Sequence, residues 1–229
     1  IYTVQAKDVA GNASTPTSGS LTIDSTSPAP TVGALTEDSD TGDKGDNVTR
    51  DKTPTFTGTT EPGATIILTL NKETYTFQAG KDGRWRFTLP AANALDDGIY
   101  QYTVQAKDIA GNTSSLSTGW LTIDATPPVL SLEDNSDTGT ADDDITSINT
   151  PTFTGTSEAN ATITLNIDSK VFTTAADSAG KWTITLDQPL NDGTYEYTLT
   201  AKDAAGNENT LNERLTIDTQ PPAEPTRPY

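Results

Sequence analysis

The sequence contains no cysteine, no methionine and no histidine. Without cysteine there are no disulfides, no thiolate metal sites and no cysteine nucleophile. Without histidine the commonest general base and the commonest transition-metal ligand are missing too. Any bound metal must then be held by oxygen, which points to calcium or magnesium. No apolar run approaches the length of a membrane span, and no signal peptide opens the chain; a segment from inside a longer protein would lack both in any case. Basic residues are scarce: 14 Lys and Arg stand against 32 Asp and Glu in 229 residues, a net charge of −18 with a pI near 4.1. A field of that sign repels nucleic acid and anionic lipid. Neither nucleic acid nor membrane insertion is therefore expected, and cations are the natural counter-charge.

What the chain does contain is a repeat. Residues 102–128, YTVQAKDIAGNTSSLSTGWLTIDATPP, return almost intact as YTVQAKDVAGN and LTIDSTSP near the start and as YTLTAKDAAGN and LTIDTQPP near the end. The copies begin at Tyr2, Tyr102 and Tyr197, shifts of 100 and 95 residues. A period of that size is a whole domain rather than a solenoid turn. The expected organisation is a remnant of a preceding domain at 1–26, complete domains at 27–125 and 126–219, and a linker or the start of a following domain at 220–229. Ser27-Pro28, Pro127-Pro128 and Pro221-Pro222 mark the joints, where proline stiffens short linkers.

Alternation with a period of two dominates, and helical periodicity is absent. In residues 100–106, Tyr100, Tyr102, Val104 and Ala106 alternate with Gln101, Thr103 and Gln105, one face buried and one wet. The first full domain reads as seven strands, at about 30–35, 54–60, 64–70, 74–79, 85–89, 99–107 and 117–123, and the second repeats the order. Short strands separated by Gly, Pro, Asn and Asp signal an antiparallel sandwich. The expected fold class is all-β, with tandem immunoglobulin-like β-sandwiches of about seven strands each forming an elongated rod. Trp85 and Trp182 occupy equivalent positions and alternate with Phe87 and Ile184, a core pattern. Trp120 faces Ser20 and Arg214 at its matching positions and reads as a surface or junction contact.

The segments TPTFTGTTEPGATI, DGRWRFTL, DDGIYQYTVQAKDIAGN and LTID, with their second copies, resemble the bacterial immunoglobulin-like repeats of giant adhesins exported by type 1 secretion. The resemblance implies a secreted, surface-displayed rod of many such domains, with calcium near the domain junctions and a distal tip that meets a host-cell receptor or glycan. Residues 96–100, Asp-x-Gly-x-Tyr, also resemble the start of an immunoglobulin F strand, where the tyrosine forms a corner. The second copy has Asn191 in place of Asp96.

Strand arithmetic places the acids without help from the family. If each of seven strands reverses direction, the B-C and F-G loops lie at the pole where the chain arrives, and the A-B and E-F loops at the pole where it leaves. Glu61 in B-C and Asp108 in F-G then share a pole with Asp24, the last acid of the preceding domain. At the next junction the same construction gathers Asp124, Glu158 and Asp203, and Asp218 closes the third copy of the LTID strand. Three crowded carboxylates repel unless a cation sits among them, and such hard oxygen ligands suit Ca2+. Main-chain carbonyls of the KDxAGN turn, or Asn112 and Asn207, complete the candidate shell. The opposite pole carries a second acidic cluster, EDSDTGDKGDNVTRD in the first domain and EDNSDTGTADDDITS in the second. Its candidate ligands are Asp38, Asp40, Asp43 and Asp46, with Asp137, Asp143 and either Asp142 or Asp144 in the second copy, where Thr140 replaces Asp43, and Asp97 and Asp192 from the E-F loops. The bland alternatives are aspartates that cap turns and a solvated acidic loop.

Asp96 and Asp97 are adjacent on one turn, and a small sandwich offers no evident cleft, so no enzymatic activity is expected. The expected role is mechanical: a calcium-rigidified stalk whose partners are the neighbouring Ig-like domains of the same chain. The competing reading is an Ig-like module that itself grips a host glycan or protein, for which Trp120 is the one aromatic hint.

Overall fold

The computed structural model describes residues 1–29, 33–134, 136–140 and 143–224. The chain divides into two compact units. One comprises Ile1–Ala34, Thr57–Phe87 and Gln101–Gly119, the other Leu35–Phe56, Thr88–Tyr100 and Trp120–Tyr229. The dividing line therefore passes through strands of the first repeat.

At the start, β1 (Tyr2–Val4) pairs antiparallel with β2 (Thr17–Gly19). The first repeat contributes β3 (Ala34–Leu35), β4 (Val48–Thr49), β5 (Thr55–Thr59), β6 (Thr65–Leu70), β7 (Glu73–Gln78), β8 (Arg84–Thr88), β9 (Gly98–Lys107) and β10 (Ser117–Ile123). The second repeats the series as β11 (Leu130–Asp134), β12 (Ile145–Thr146), β13 (Thr152–Ser157), β14 (Thr162–Ile167), β15 (Lys170–Ala175), β16 (Lys181–Thr185), β17 (Gly193–Lys202) and β18 (Glu208–Ile217). A single 3-10 turn, Ala91–Asn93, is the only helical element among the described residues.

The second repeat is a sandwich of two sheets, a three-stranded one in the order β11-β13-β16 and a five-stranded one in the order β12-β18-β17-β14-β15. Alternation drives the arrangement. In β14, Ile163, Leu165 and Ile167 point inward and are buried, while Thr162, Thr164 and Asn166 face out or sit half-buried. Those inward residues meet Phe153, Trp182, Ile184, Tyr197, Leu199, Leu215 and Ile217 from both sheets in one core. Phe153 packs edge-on against Tyr197 with ring centroids 5.1 Å apart. In the first repeat β6 pairs antiparallel with both β7 and β9, and Ile66, Leu68, Leu70, Trp85 and Val104 are buried there.

Two local features lay beyond the alternation pattern. The hairpins β6-β7 and β14-β15 close on Asn71-Lys72 and Asp168-Ser169, all four with positive φ, the two-residue turn whose twist matches the strands it joins. Neither turn contains the glycine that usually announces such a bend. The second feature corrects the seven-strand, strictly up-and-down expectation. What reads as one A-B loop contains an extra two-residue strand, β4 or β12, lying parallel to the last strand of its repeat. The chain crosses from one sheet to the other inside the acidic loop. Its stabilising contacts are main-chain: Asp124 donates its N–H to the Thr49 carbonyl and Asp218 to that of Thr146, both at 2.9 Å. Thr49 and Thr146 are fully buried beneath these bonds. A two-residue strand is too short for any periodic signal to register.

The tyrosine corner is present in both repeats. Tyr100 donates its hydroxyl to the Asp96 carbonyl at 2.9 Å, and Tyr195 donates to the Asn191 carbonyl at 3.0 Å. Because the acceptor is main-chain, exchanging Asp for Asn at that position leaves the corner intact.

Candidate metal centre

Asp124 follows the last residue of β10, Glu158 follows β13, and Asp203 follows β17. Here the structure brings three carboxylates together: one oxygen from each lies within 4.8 Å of the others. Asp203 is buried, Asp124 half-buried and Glu158 exposed as a whole residue. Among the described residues the ion pairs join Lys52 to Asp97, Arg84 to Asp82 and Lys202 to Glu208, so none neutralises this trio.

The turn after β17 is built to hold its carboxylate. Asp203 accepts the Asn207 main-chain N–H on one oxygen and the Asn207 side-chain amide on the other, each at 2.8 Å. The same amide nitrogen also donates to the Asp124 carbonyl at 2.9 Å. Asn207 is itself buried. It thus ties the end of β10 to the turn after β17 and sets the two aspartates side by side. Gly206, with φ +87°, lets the main chain fold back so that its N–H reaches the Asp203 carbonyl.

The electrostatics follow from crowding. Partial burial raises the Asp124 carboxyl above its ordinary value, opposed by the Thr126 amide it accepts and assisted by the charges of Asp203 and Asp97. Glu158 is raised for like reasons, loss of water first and then the charges of Asp124 and Asp203. These groups are strained as bare anions. An all-carboxylate cluster with no ion pair among the described residues fits a hard divalent cation and offers nothing to a soft one.

The other acids are placed differently. The equivalent residues Asp24, Glu61 and Asp108 do not come together as a cluster of this kind among the described residues. Asp108 accepts the Asn112 side-chain amide and the main-chain N–H groups of Gly111 and Asn112, each at 2.7 Å. Those bonds, the side-chain one foremost, hold its carboxyl below the usual range. Asn112 also donates to the Asp24 carbonyl at 3.1 Å, the same tie that Asn207 makes.

In the first acidic loop Asp38, Asp43 and Asp46 are exposed and only Asp40 turns inward. Asp46 accepts the Val48 amide at 2.9 Å, an Asx turn that launches β4. Lys44 reaches back to the main-chain carbonyls of Glu37, at 2.9 Å, and Asp40. The loop therefore carries a cation of its own, which the spacing of the acids alone does not reveal. In the second loop Asp137 is half-buried, Asp143 accepts the Ile145 amide at 3.0 Å, Asp144 is exposed with φ +58°, and Asp142 lies outside the described residues.

Asp97 and Asp192 turn to the segment that follows the last strand of their own repeat rather than gathering with the loop acids in a cluster of that kind. Asp97 accepts the Ala125 amide and the Thr126 hydroxyl, and Lys52 lies 3.5 Å away. Asp192 accepts the amide and hydroxyl of Thr219. In each case the threonine hydroxyl is the chief reason that the carboxyl lies below its usual range. Asp218 is exposed and accepts the Gln220 amide at 3.1 Å.

Among solved structures the chain is similar to a calcium-stabilized adhesin that helps an Antarctic bacterium reach out and bind ice, at 25% identity and a TM-score of 0.37. That likeness takes in 94% of this chain and 55% of the adhesin chain, so the present sequence spans a little over half of it. It is also similar to a tetra-tandem repeat from the extending region of a large adhesion protein, at 24% identity, a TM-score of 0.38, and coverage of 94% and 55%. A 1.5-MDa bacterial ice-binding adhesin gives 19% identity, a TM-score of 0.39, and coverage of 83% and 65%. No curated protein matches the chain. The bacterial Ig-like domain profile matches residues 26–125 and again residues 124–219. The chain therefore belongs to the bacterial Ig-like domain family, of which it holds two copies in tandem.

Proposed function

We propose that this chain is a stalk segment of a large bacterial surface adhesin, in which calcium at the junction of consecutive Ig-like domains converts a hinged string into a stiff rod. The domains are 27–125 and 126–219, preceded by the remnant 1–26 and followed by 220–229. The observation that carries the reading is the meeting of Asp124 with Glu158 and Asp203 within 4.8 Å. Asp124 ends one repeat, whereas Glu158 and Asp203 belong to the next.

A short linker between small domains normally permits hinge motion. At this junction Asn207 already holds the Asp124 main chain, while the three carboxylates push one another apart. Bound Ca2+ would supply positive charge and several oxygen-coordination positions at once. Asp203 would present an oxygen preset by Asn207, Asp124 would bring the preceding domain, and Glu158 would close the third side. Without that charge the acids repel and the hinge loosens. Low calcium before export would leave the string flexible, which suits passage through a type 1 exporter. Outside the cell the rod would project a distal tip toward a host receptor or glycan. The role is mechanical rather than catalytic. No helix among the described residues is long and apolar enough to cross a membrane.

Calorimetric titration with calcium tests the ligand set. The intact chain should release heat on binding. The variant carrying Asp124→Ser, Glu158→Ser and Asp203→Ser should lose the sites of this junction, and an unchanged isotherm would refute the assignment. The rival reading, a module that grips a ligand itself, has the exposed Trp120 in its favour, at 58% accessibility. Saturable glycan or host-cell binding by this segment, lost on Trp120→Ala, would promote it.

A further inference from the structure

A second contact ties the repeats together and uses no carboxylate. The acidic loop of the first repeat meets the main-chain carbonyls of the turn after β17 of the second with one main-chain and two side-chain donors. Asp43 donates its N–H to the Ala204 carbonyl at 3.1 Å, and Thr41 donates its hydroxyl to the Ala205 carbonyl at 2.6 Å. The Arg50 guanidinium donates to the Gly206 carbonyl. Two glycines make the approach possible. A Cβ on Gly42 would lie 2.0 Å from the Ala204 oxygen, and one on Gly206 would lie 2.9 Å from the Gly42 nitrogen. Both glycines have positive φ, +67° and +87°. At these two glycines the clasp is bare backbone on bare backbone, with no room for a Cβ.

Both halves of this clasp recur elsewhere in the chain, and there each is open. Shifted by 97 residues, Thr41, Gly42, Asp43 and Arg50 become Thr138, Gly139, Thr140 and Ser147. Thr138 is poised as Thr41 is: its hydroxyl accepts the Ser147 amide at 2.9 Å, as that of Thr41 accepts the Arg50 amide at 2.9 Å. Gly139 has φ +85°, and a Cβ there would meet nothing within 4 Å. Shifted by 95 residues in the other direction, Gly206 becomes Gly111, with φ +101° and equally open space.

We propose that Thr138, Gly139 and Thr140 form a socket for a further copy of this repeat, which would enter it with its Lys-Asp-x-Ala-Gly-Asn turn, the counterpart of Ala204–Gly206. The inference rests on the tandem-repeat part of the proposed function and not on its calcium part. Thr140 supplies the amide that Asp43 supplies in the closed clasp, Thr138 the hydroxyl, and Gly139 the bare surface. Ser147 lacks the guanidinium of Arg50, so this socket makes one hydrogen bond fewer than its closed counterpart.

The test compares the chain with one in which residues 126–219 are repeated once after residue 219, both in chelator so that no divalent ion contributes. Appending the copy should slow amide exchange at Thr140 by about tenfold or more. Two glycine variants separate contact from backbone strain, since both positions have positive φ and only one is in contact. In the original chain Gly42→Ala should lower the melting temperature more than Gly139→Ala does. In the extended chain the two losses should become comparable, and Gly139→Ala should restore fast exchange at Thr140. If Thr140 exchanges at the same rate in both chains, or Gly139→Ala costs the same in both, the socket is overturned. Failure of the calcium reading would instead appear only when calcium is added, as an unchanged titration.

Discussion

At the scale of single residues, the chemistry of this chain is set by what each carboxylate accepts. Asp8, Asp97, Asp108 and Asp192 are satisfied by amides and hydroxyls, and their carboxyls sit below the ordinary value of 3.8. Asp124 and Glu158 lie above their ordinary values of 3.8 and 4.5 because they are partly dry and face other anions. An acid whose pKa rises on folding favours the folded state while protonated, and its contribution is withdrawn as pH climbs through the raised value. The four lowered acids work the opposite way, stabilising above 3.8 and failing only below it. In chelator the stability held by these two carboxyls should therefore be lost as pH rises from their ordinary range through their raised values, opposite in sign to the four lowered acids. Glu158→Gln should flatten that slope, and calcium should abolish it by stabilising the ionised trio. A pH dependence of the melting temperature in chelator that is unchanged by Glu158→Gln would contradict this account. Asn207 carries a different load, since its side chain bonds both Asp203 and the Asp124 main chain. Asn207→Ala should cost about 1–3 kcal/mol in urea unfolding, the range for leaving buried polar partners unmet, and should also weaken calcium binding.

At the scale of elements, the short strands β4 and β12 decide more than their length suggests. Each lies parallel beside the final strand of its repeat, and each accepts the N–H of the aspartate that ends that strand. Asp124 is thereby held against the edge strand β4 rather than on a free tail. The core of the second repeat is built from aliphatic and aromatic side chains of both sheets. Phe153 is fully buried between the two sheets and packs edge-on against Tyr197. Phe153→Ala should destabilise the second repeat by about 3–5 kcal/mol through lost burial and an unfilled cavity, read as a shifted chemical-denaturation midpoint. A loss below about 1 kcal/mol would mean that the sandwich relaxes around the gap more fully than packed cores do.

At the scale of the whole molecule, two kinds of connection act at the repeat junction. One is the proposed cation-dependent meeting of Asp124, Glu158 and Asp203; the other is the clasp around Gly42 and Gly206, which uses no carboxylate. Small-angle scattering in millimolar calcium should show a longer and stiffer particle than in chelator. An identical profile in both would remove the rod mechanism while leaving the clasp untouched. The strong negative charge, −18 on 229 residues, adds to the contrast, because self-repulsion is greatest where no divalent ion screens it.

The sequence by itself determined the fold class, because alternation with a period of two and punctuation by Gly, Pro and Asn are local signals that survive without a partner. The tandem organisation was equally plain in the recurring KDxAGN and LTID segments. Strand counting could name Asp124, Glu158 and Asp203 as residues of one pole, since that requires only parity. Distance is another matter. Parity assigns Asp24, Glu61 and Asp108 to a common pole in the same way, yet among the described residues the second trio alone is gathered within 4.8 Å, a distance that parity does not set. A two-residue strand crossing between sheets, and a glycine needed because the Ala204 carbonyl, 162 residues after Gly42, presses against it, both arise from non-local packing. Neighbours along the chain carry no trace of such contacts, and only the tertiary structure could decide them.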